Sequence, residues 1–227
     1  MFFILNSASS KCIEVTAIFL LLSLIAQSQP KTLRFLALGD SYTIGESVAE
    51  QDRWPNQLAA VLSKEKQVEI KTTIVATTGW RTDNLSNAIT IANLKDKFDL
   101  VSLLIGVNNQ YQGKPVEQYE IEFEQLLKTS IELADGKPEN VFVVSIPDYG
   151  FTPFGENNKE KISTAIDQFN AANKRITERY HIHYVTITDI SREGLNDPTL
   201  VATDGLHPSG KMYSLWVKRI TSLIRLK

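Results

Sequence analysis

The stretch Leu33-Arg34-Phe35-Leu36-Ala37-Leu38-Gly39-Asp40-Ser41-Tyr42-Thr43-Ile44-Gly45-Glu46 decides how this chain folds. Its first six residues are apolar at all but one position and show neither helical spacing nor alternation, the pattern of a strand covered on both faces in a parallel sheet. Gly39-Asp40-Ser41 then ends the run, so a tight turn follows at the carboxyl end of the strand. Four more such runs lie at Val68–Ala76, Leu100–Ile105, Val141–Ile146 and Ile182–Ile187. Between them Val116, Tyr119, Phe123, Leu126, Leu127 and Ile131 share one face at helical spacing, as do Ile162, Ala165, Ile166, Phe169 and Ile176. A helix from about Trp54 to Ser63 and a last one carrying Tyr213, Trp216, Val217, Ile220 and Ile224 complete the alternation. Strands alternating with helices predict parallel pairing through right-handed crossovers, hence an α/β fold: a three-layer α/β/α sandwich around a five-stranded parallel flavodoxin-like sheet.

Composition narrows the function. The chain has 227 residues, 43% hydrophobic and 22% charged, which suits one folded domain and excludes a disordered chain. Lys plus Arg number 24 against 26 Asp plus Glu, so there is no basic field for nucleic acid. The single cysteine, Cys12, excludes a disulfide framework and a zinc ribbon, and no metal site is expected. From Val15 to Ala26 the chain is almost wholly apolar, follows Lys11 and precedes the small residues Ala26 and Ser28. That run has the length of a signal-peptide core and is shorter than the roughly 20 residues that span a bilayer. We expect residues 1–28 to be a signal peptide, residues 29–227 to form the domain, and the mature protein to be secreted or periplasmic with no stable membrane span.

In open sheets of this kind ligands sit beyond the carboxyl ends of the strands, so the chemistry is sought in the strand-to-helix loops. Ser41 follows the first strand at once. A serine hydroxyl is a weak nucleophile and needs a base. His207 lies in a polar loop, Asp204-Gly205-Leu206-His207-Pro208-Ser209-Gly210, three residues after Asp204. A carboxylate there can bind one ring nitrogen and leave the other to take the serine proton, so Ser41, His207 and Asp204 are the candidate catalytic residues. Donors for an oxyanion are the Ser41 N–H, the Gly79 N–H and the Asn108 side chain, from three adjacent loops. Each residue also has a plainer reading: Ser41 as a helix N-cap, Asp204 and His207 as a loop turn, Gly79 and Asn108 as turn residues. His181 and His183 fall on or beside the fifth strand and read as structural.

Taken together, the blocks GDSYT with Ser41, TTGW with Gly79, GVNN with Asn108 and DGLHPS with Asp204 and His207 resemble the SGNH (GDSL) hydrolase superfamily, in order and over essentially the whole mature chain. The resemblance implies hydrolysis of esters or thioesters by an activated serine, with no cofactor and no metal. It departs at Asn109, where the third block often carries an aspartate. Residues beside the blocks, namely Tyr42, Ile44, Trp80, Arg81, Gln110, Tyr111 and the segment from Tyr149 through Phe151 to Phe154, are expected to line the substrate pocket. Their mixed aromatic and polar character favours a short acyl group on a small-molecule or carbohydrate ester. A lysophospholipase or thioesterase, an acyltransferase on the same site, and a flavodoxin-like binding module without chemistry are the alternatives.

Overall fold

A computed structural model describes residues 31–224. The expected signal segment, residues 1–28, lies outside the described residues. Strands β1 (Thr32–Gly39), β2 (Glu69–Ala76), β3 (Leu100–Leu104), β4 (Val141–Val144) and β5 (His183–Val185) form one sheet in the order β2-β1-β3-β4-β5. Every neighbouring pair is parallel, and the order reverses between β1 and β3, as in flavodoxin-like sheets. All five residues of β3 are buried, whereas edge strand β2 alternates between exposed and partly covered positions over most of its length. The continuous apolar run of Leu33–Leu38 is therefore that of a strand with neighbours on both sides and helices above and below.

The helices are α1 (Ser41–Ile44), α2 (Trp54–Lys66), α3 (Thr82–Ala92), α4 (Val107–Tyr111), α5 (Val116–Leu133), α6 (Lys159–Arg179), α7 (Thr188–Ser191) and α8 (Gly210–Leu223). Helix α2 packs with α8, while α5 packs with both α3 and α6, which gives the two helical layers of the sandwich. Trp54 and Trp216, from α2 and α8, are fully buried, and Trp54 meets Phe35 of β1 and Phe142 of β4 at ring-centroid distances of 6.2 and 6.3 Å. Helix α3 is absent from the sequence reading. Leu85 and Ile89 give it a buried stripe, but Asn84, Ser86, Asn87 and Thr90 are weak helix formers that mask its period.

Two strands are shorter than the sequence predicts by two residues or more. β4 stops at Val144; Ser145 still gives its N–H to the Val185 carbonyl at 3.0 Å, while its hydroxyl accepts the backbone N–H groups of Ile187 and Thr188, where the chain leaves β5. β5 starts at His183 because His181 adopts a left-handed backbone, φ 56°, that closes α6. The register places the carboxyl ends of three strands level: Gly39 of β1 faces both Ala76 of β2 and Leu104 of β3. Ser41, Gly79 and Asn108 thus follow strand ends by two, three and four residues along one rim.

Candidate active site

Ser41 is the first residue of α1, and the N-cap is Asp40, whose Oδ1 accepts the Tyr42 N–H at 3.1 Å. The N-cap reading of Ser41 is thereby corrected: the cap is already supplied, and the serine hydroxyl is not needed for it. As the first helical residue, Ser41 also has a backbone N–H that the intrahelical ladder leaves unused. Gly39 makes this turn possible, since a Cβ there would sit 2.1 Å from Thr43 Oγ1 and 2.5 Å from the Leu104 carbonyl. Asp40 itself is fully buried, its Oδ2 has no hydrogen-bond partner among the described residues, and burial pushes its carboxyl up to about 7 against the lowering effect of backbone N–H groups.

His207 and Asp204 hang from the segment before α8. That segment is pinned by the Ala202 N–H to the His207 carbonyl at 2.7 Å, a bridge between Val201 and Pro208, and Ser209 as the N-cap of α8. Asp204 Oδ2 lies 2.6 Å from His207 Nδ1, and its Oδ1 accepts the N–H groups of Leu206 and His207 at 2.9 Å. Ser47, just past α1 with a left-handed φ of 65°, donates its hydroxyl to the same Oδ2 at 2.6 Å. Burial works to raise the Asp204 carboxyl, but the Ser47 and His207 side chains and the two N–H groups together hold it well below the ordinary carboxylate range. With Nδ1 engaged, Nε2 is the nitrogen left for chemistry. The His207 ring lies against Tyr42 at 5.6 Å between centroids, and the Tyr42 carbonyl accepts the Tyr213 hydroxyl at 3.1 Å.

The opposite wall is built from neutral amides. Gly79 has φ 84°, which disfavours any side chain, and no atom lies within 4 Å of where its Cβ would be. The Asn108 amide donates one hydrogen to the Trp80 carbonyl at 3.0 Å, which fixes its plane and leaves the second hydrogen free for another acceptor. Gly106, with φ 133°, lets β3 turn into α4, which carries Asn108; a Cβ there would strike Tyr119 and Ile146. Asn109 is buried, accepts the Thr82 N–H at 3.1 Å and donates to the Thr82 hydroxyl at 2.7 Å. Thr82 in turn donates to Glu122 of α5. Position 109 itself is therefore uncharged, and the Glu122 carboxylate is reached from it only through Thr82. Glu46 accepts the hydroxyl of Thr78, next to Gly79.

Ser41, Tyr42, Gly79, Asn108, Tyr111, Tyr149 and His207 line one cavity of about 180 Å³, joined by Thr78, Val107, Phe154 and Leu206. Asp204 stands behind His207. Five of the residues named for the pocket, Ile44, Trp80, Arg81, Gln110 and Phe151, do not line it. Trp80 is half-buried and packs its side chain against the core; the Arg81 guanidinium donates to Gln112 and Asp83, both at 2.7 Å; and Phe151 lies between cations, 5.2 Å from Lys159 Nζ and 6.0 Å from Arg192 Cζ. His181 and His183 are exposed at the far side of the sheet's order, on or beside β5. Sequence reasoning missed Ser47, Thr78, Val107 and Leu206. The last three adjoin predicted residues, but Ser47 belongs to no block and only the path of the chain after α1 brings it to Asp204. Among the described residues no group of three or more His, Cys, Asp or Glu side chains is arranged to hold a metal ion.

The sequence profile of the GDSL-like Lipase/Acylhydrolase family matches residues 37–215. An uncharacterized protein, YpmR of Bacillus subtilis (strain 168), is 26% identical over 212 residues, which is 83% of this chain and 80% of that one. Among solved structures, the psychrotrophic esterase EstA from Pseudoalteromonas sp., inhibited by monoethylphosphonate, superposes with a TM-score of 0.63 at 18% identity, covering 84% of this chain and 95% of its own. Axe2, an acetylxylan esterase from Geobacillus stearothermophilus, superposes with a TM-score of 0.65 at 18% identity, covering 88% and 100%. These two structures share the fold.

Proposed function

The chain belongs to the GDSL-like lipase/acylhydrolase family, and from that membership we propose that it hydrolyses esters of short acyl chains through an acyl-enzyme on Ser41. One observation carries the reading: His207, with Nδ1 held by Asp204 at 2.6 Å, lines the same cavity as Ser41, Gly79 and Asn108. In this mechanism the Ser41 hydroxyl attacks the ester carbonyl as His207 Nε2 takes its proton. Asp204 fixes the tautomer and stabilises the imidazolium. Charge forming on the carbonyl oxygen is met by the N–H groups of Ser41 and Gly79 and by the free Asn108 hydrogen. The imidazolium then returns the proton to the leaving alcohol, and a water activated by the same base releases the acid and restores Ser41.

The short acyl chain follows from size. At about 180 Å³ the cavity is below the 300–1,000 Å³ usual for drug-sized ligands. Its lining by Tyr111, Tyr149 and Phe154 suits a small-molecule or carbohydrate ester, and Axe2, a structural neighbour, is described as an acetylxylan esterase. Family membership sets aside the binding-module alternative. Secretion or a periplasmic location is part of the proposal and rests on the apolar run Val15–Ala26 followed by Ser28. The test is a panel of p-nitrophenyl esters from acetyl to palmitoyl with acetylated sugars, run on wild type and Ser41→Ala, with fluorophosphonate labelling of both. Turnover should peak at the shortest acyl groups and fall about a millionfold in Ser41→Ala, which should also lose labelling. A Ser41→Ala protein that keeps a tenth of the activity, or labels as wild type does, ends the acyl-enzyme reading.

A further inference from the structure

A second cavity, of about 630 Å³, opens on the other side of three rings that it shares with the first: Tyr111, Tyr149 and Phe154. Their centroids are 6.0, 6.2 and 6.3 Å apart, so they form a low partition rather than a closed wall. Tyr111 is 59% exposed and Phe154 52%, large apolar faces left open beside a site for small molecules. Beyond the partition the cavity runs between the start of α5 and the start of α6, where Lys114 and Lys161 reach it with Asn158 and Gln168. No carboxylate is on its walls. Neither lysine ammonium makes an ion pair with a carboxylate among the described residues.

We propose that this second cavity holds an anionic group on the alcohol part of the ester, so that the substrate straddles the aromatic partition with its acyl group beside Ser41 and its negative charge between Lys114 and Lys161. This deepens the ester-hydrolase reading and rests on it. The two cavities divide the substrate by chemistry. The small one has the nucleophile and mostly apolar walls; the large one has two cations and three neutral amides. A sugar or glycerol body can lie on the exposed ring faces between them. The anion is a carboxylate, as on a uronic-acid sugar, or a phosphate monoester, as on a glycerol phosphate.

The test compares matched pairs of acetyl esters: an acetylated methyl xyloside with an acetylated methyl glucuronide, and monoacetyl glycerol with monoacetyl glycerol phosphate. Wild type should favour at least one anionic partner by about tenfold in kcat/KM, through KM, and the preference should shrink as salt rises above about 0.15 M. A Lys114→Gln/Lys161→Gln variant should lose the preference and hydrolyse p-nitrophenyl acetate as wild type does. The pair that shows the effect identifies the anion. Titration of methyl glucuronide and of glycerol phosphate into Ser41→Ala, with and without the lysine changes, reads the subsite without turnover: about tenfold weaker binding on losing the lysines supports it even if no ester is cleaved. No preference in either pair with no lysine-dependent binding of either anion overturns the proposal. A preference that survives the double substitution overturns it as well. Failure to cleave any ester, with lysine-dependent binding intact, counts against the hydrolase reading alone.

Discussion

The two walls that flank Ser41 are held by different forces. On the histidine wall the fixing bonds converge on one ionised carboxylate: Asp204 takes the His207 ring, the Ser47 hydroxyl and two backbone N–H groups. On the amide wall Asn108 is set by a carbonyl and Asn109 by a threonine, while the carboxylates Glu122 and Glu46 bond Thr82 and Thr78 rather than the amides themselves. Charge-assisted bonds are roughly twice as strong as neutral ones, but they depend on protonation. The histidine wall is therefore the stiffer and the pH-sensitive one. On the amide wall the proposed oxyanion donor Asn108 has a neutral neighbour at position 109, where an aspartate would add a like charge.

Substitutions on each wall should separate these contributions. The largest effect belongs to Asp204→Asn, which replaces the acceptor of the His207 N–H with an amide and favours the wrong tautomer; kcat should fall about 10⁴-fold. Next is Asn108→Ala, where kcat should fall about 10²–10³-fold with KM little changed, because the bond strengthens only as charge develops on the oxygen. A rise in KM alone would make Asn108 a residue of ground-state binding and remove the contrast between the walls. Ser47→Ala should cost less, about two- to tenfold in kcat, the worth of a single hydrogen bond.

Ser47→Ala has a second readout in stability. The folded Asp204 carboxyl lies below its ordinary value near 3.8, so it contributes stability above that pH and loses it as pH falls through the folded value. Removing the Ser47 donor reduces that contribution, so the melting temperatures of wild type and variant should differ at neutral pH and converge below about pH 4. Divergence on acidification would place the Ser47 effect elsewhere. The smallest effect on turnover is expected from Asp40→Asn, which keeps the Oδ1 acceptor for Tyr42. Asp40 is shifted the other way, from 3.8 to about 7, so the folded state holds a proton the unfolded state has lost and stability declines as pH rises between those values. Asp40→Asn should flatten that decline; equal slopes in the two proteins would show that Asp40 ionises normally.

The strand core and the four blocks were legible because each is local: a doubly buried strand reads as an unbroken apolar run, and Asp204 stands three residues from His207. The sheet order followed once crossovers were taken as right-handed. What escaped needed side-chain direction. Trp80 and Gly79 are neighbours, yet one faces the core and the other the cavity, and no periodicity exists in a loop to tell them apart. Arg81 is held by Asp83 and Gln112, and the latter is 31 positions away. Helix α3 escaped for the opposite reason, its local propensities being too weak to announce what tertiary packing on β2 and α5 stabilises.

Glu46 and Ser47 are consecutive, yet Glu46 takes the hydroxyl of Thr78 on the amide wall and Ser47 donates to Asp204 on the histidine wall. Two successive side chains thus link the two walls across the loop that carries Ser41. Both walls are thereby tied to one dipeptide, so a single residue inserted between Glu46 and Ser47 should uncouple His207 and Asp204 from Gly79 while leaving all of these residues in the sequence.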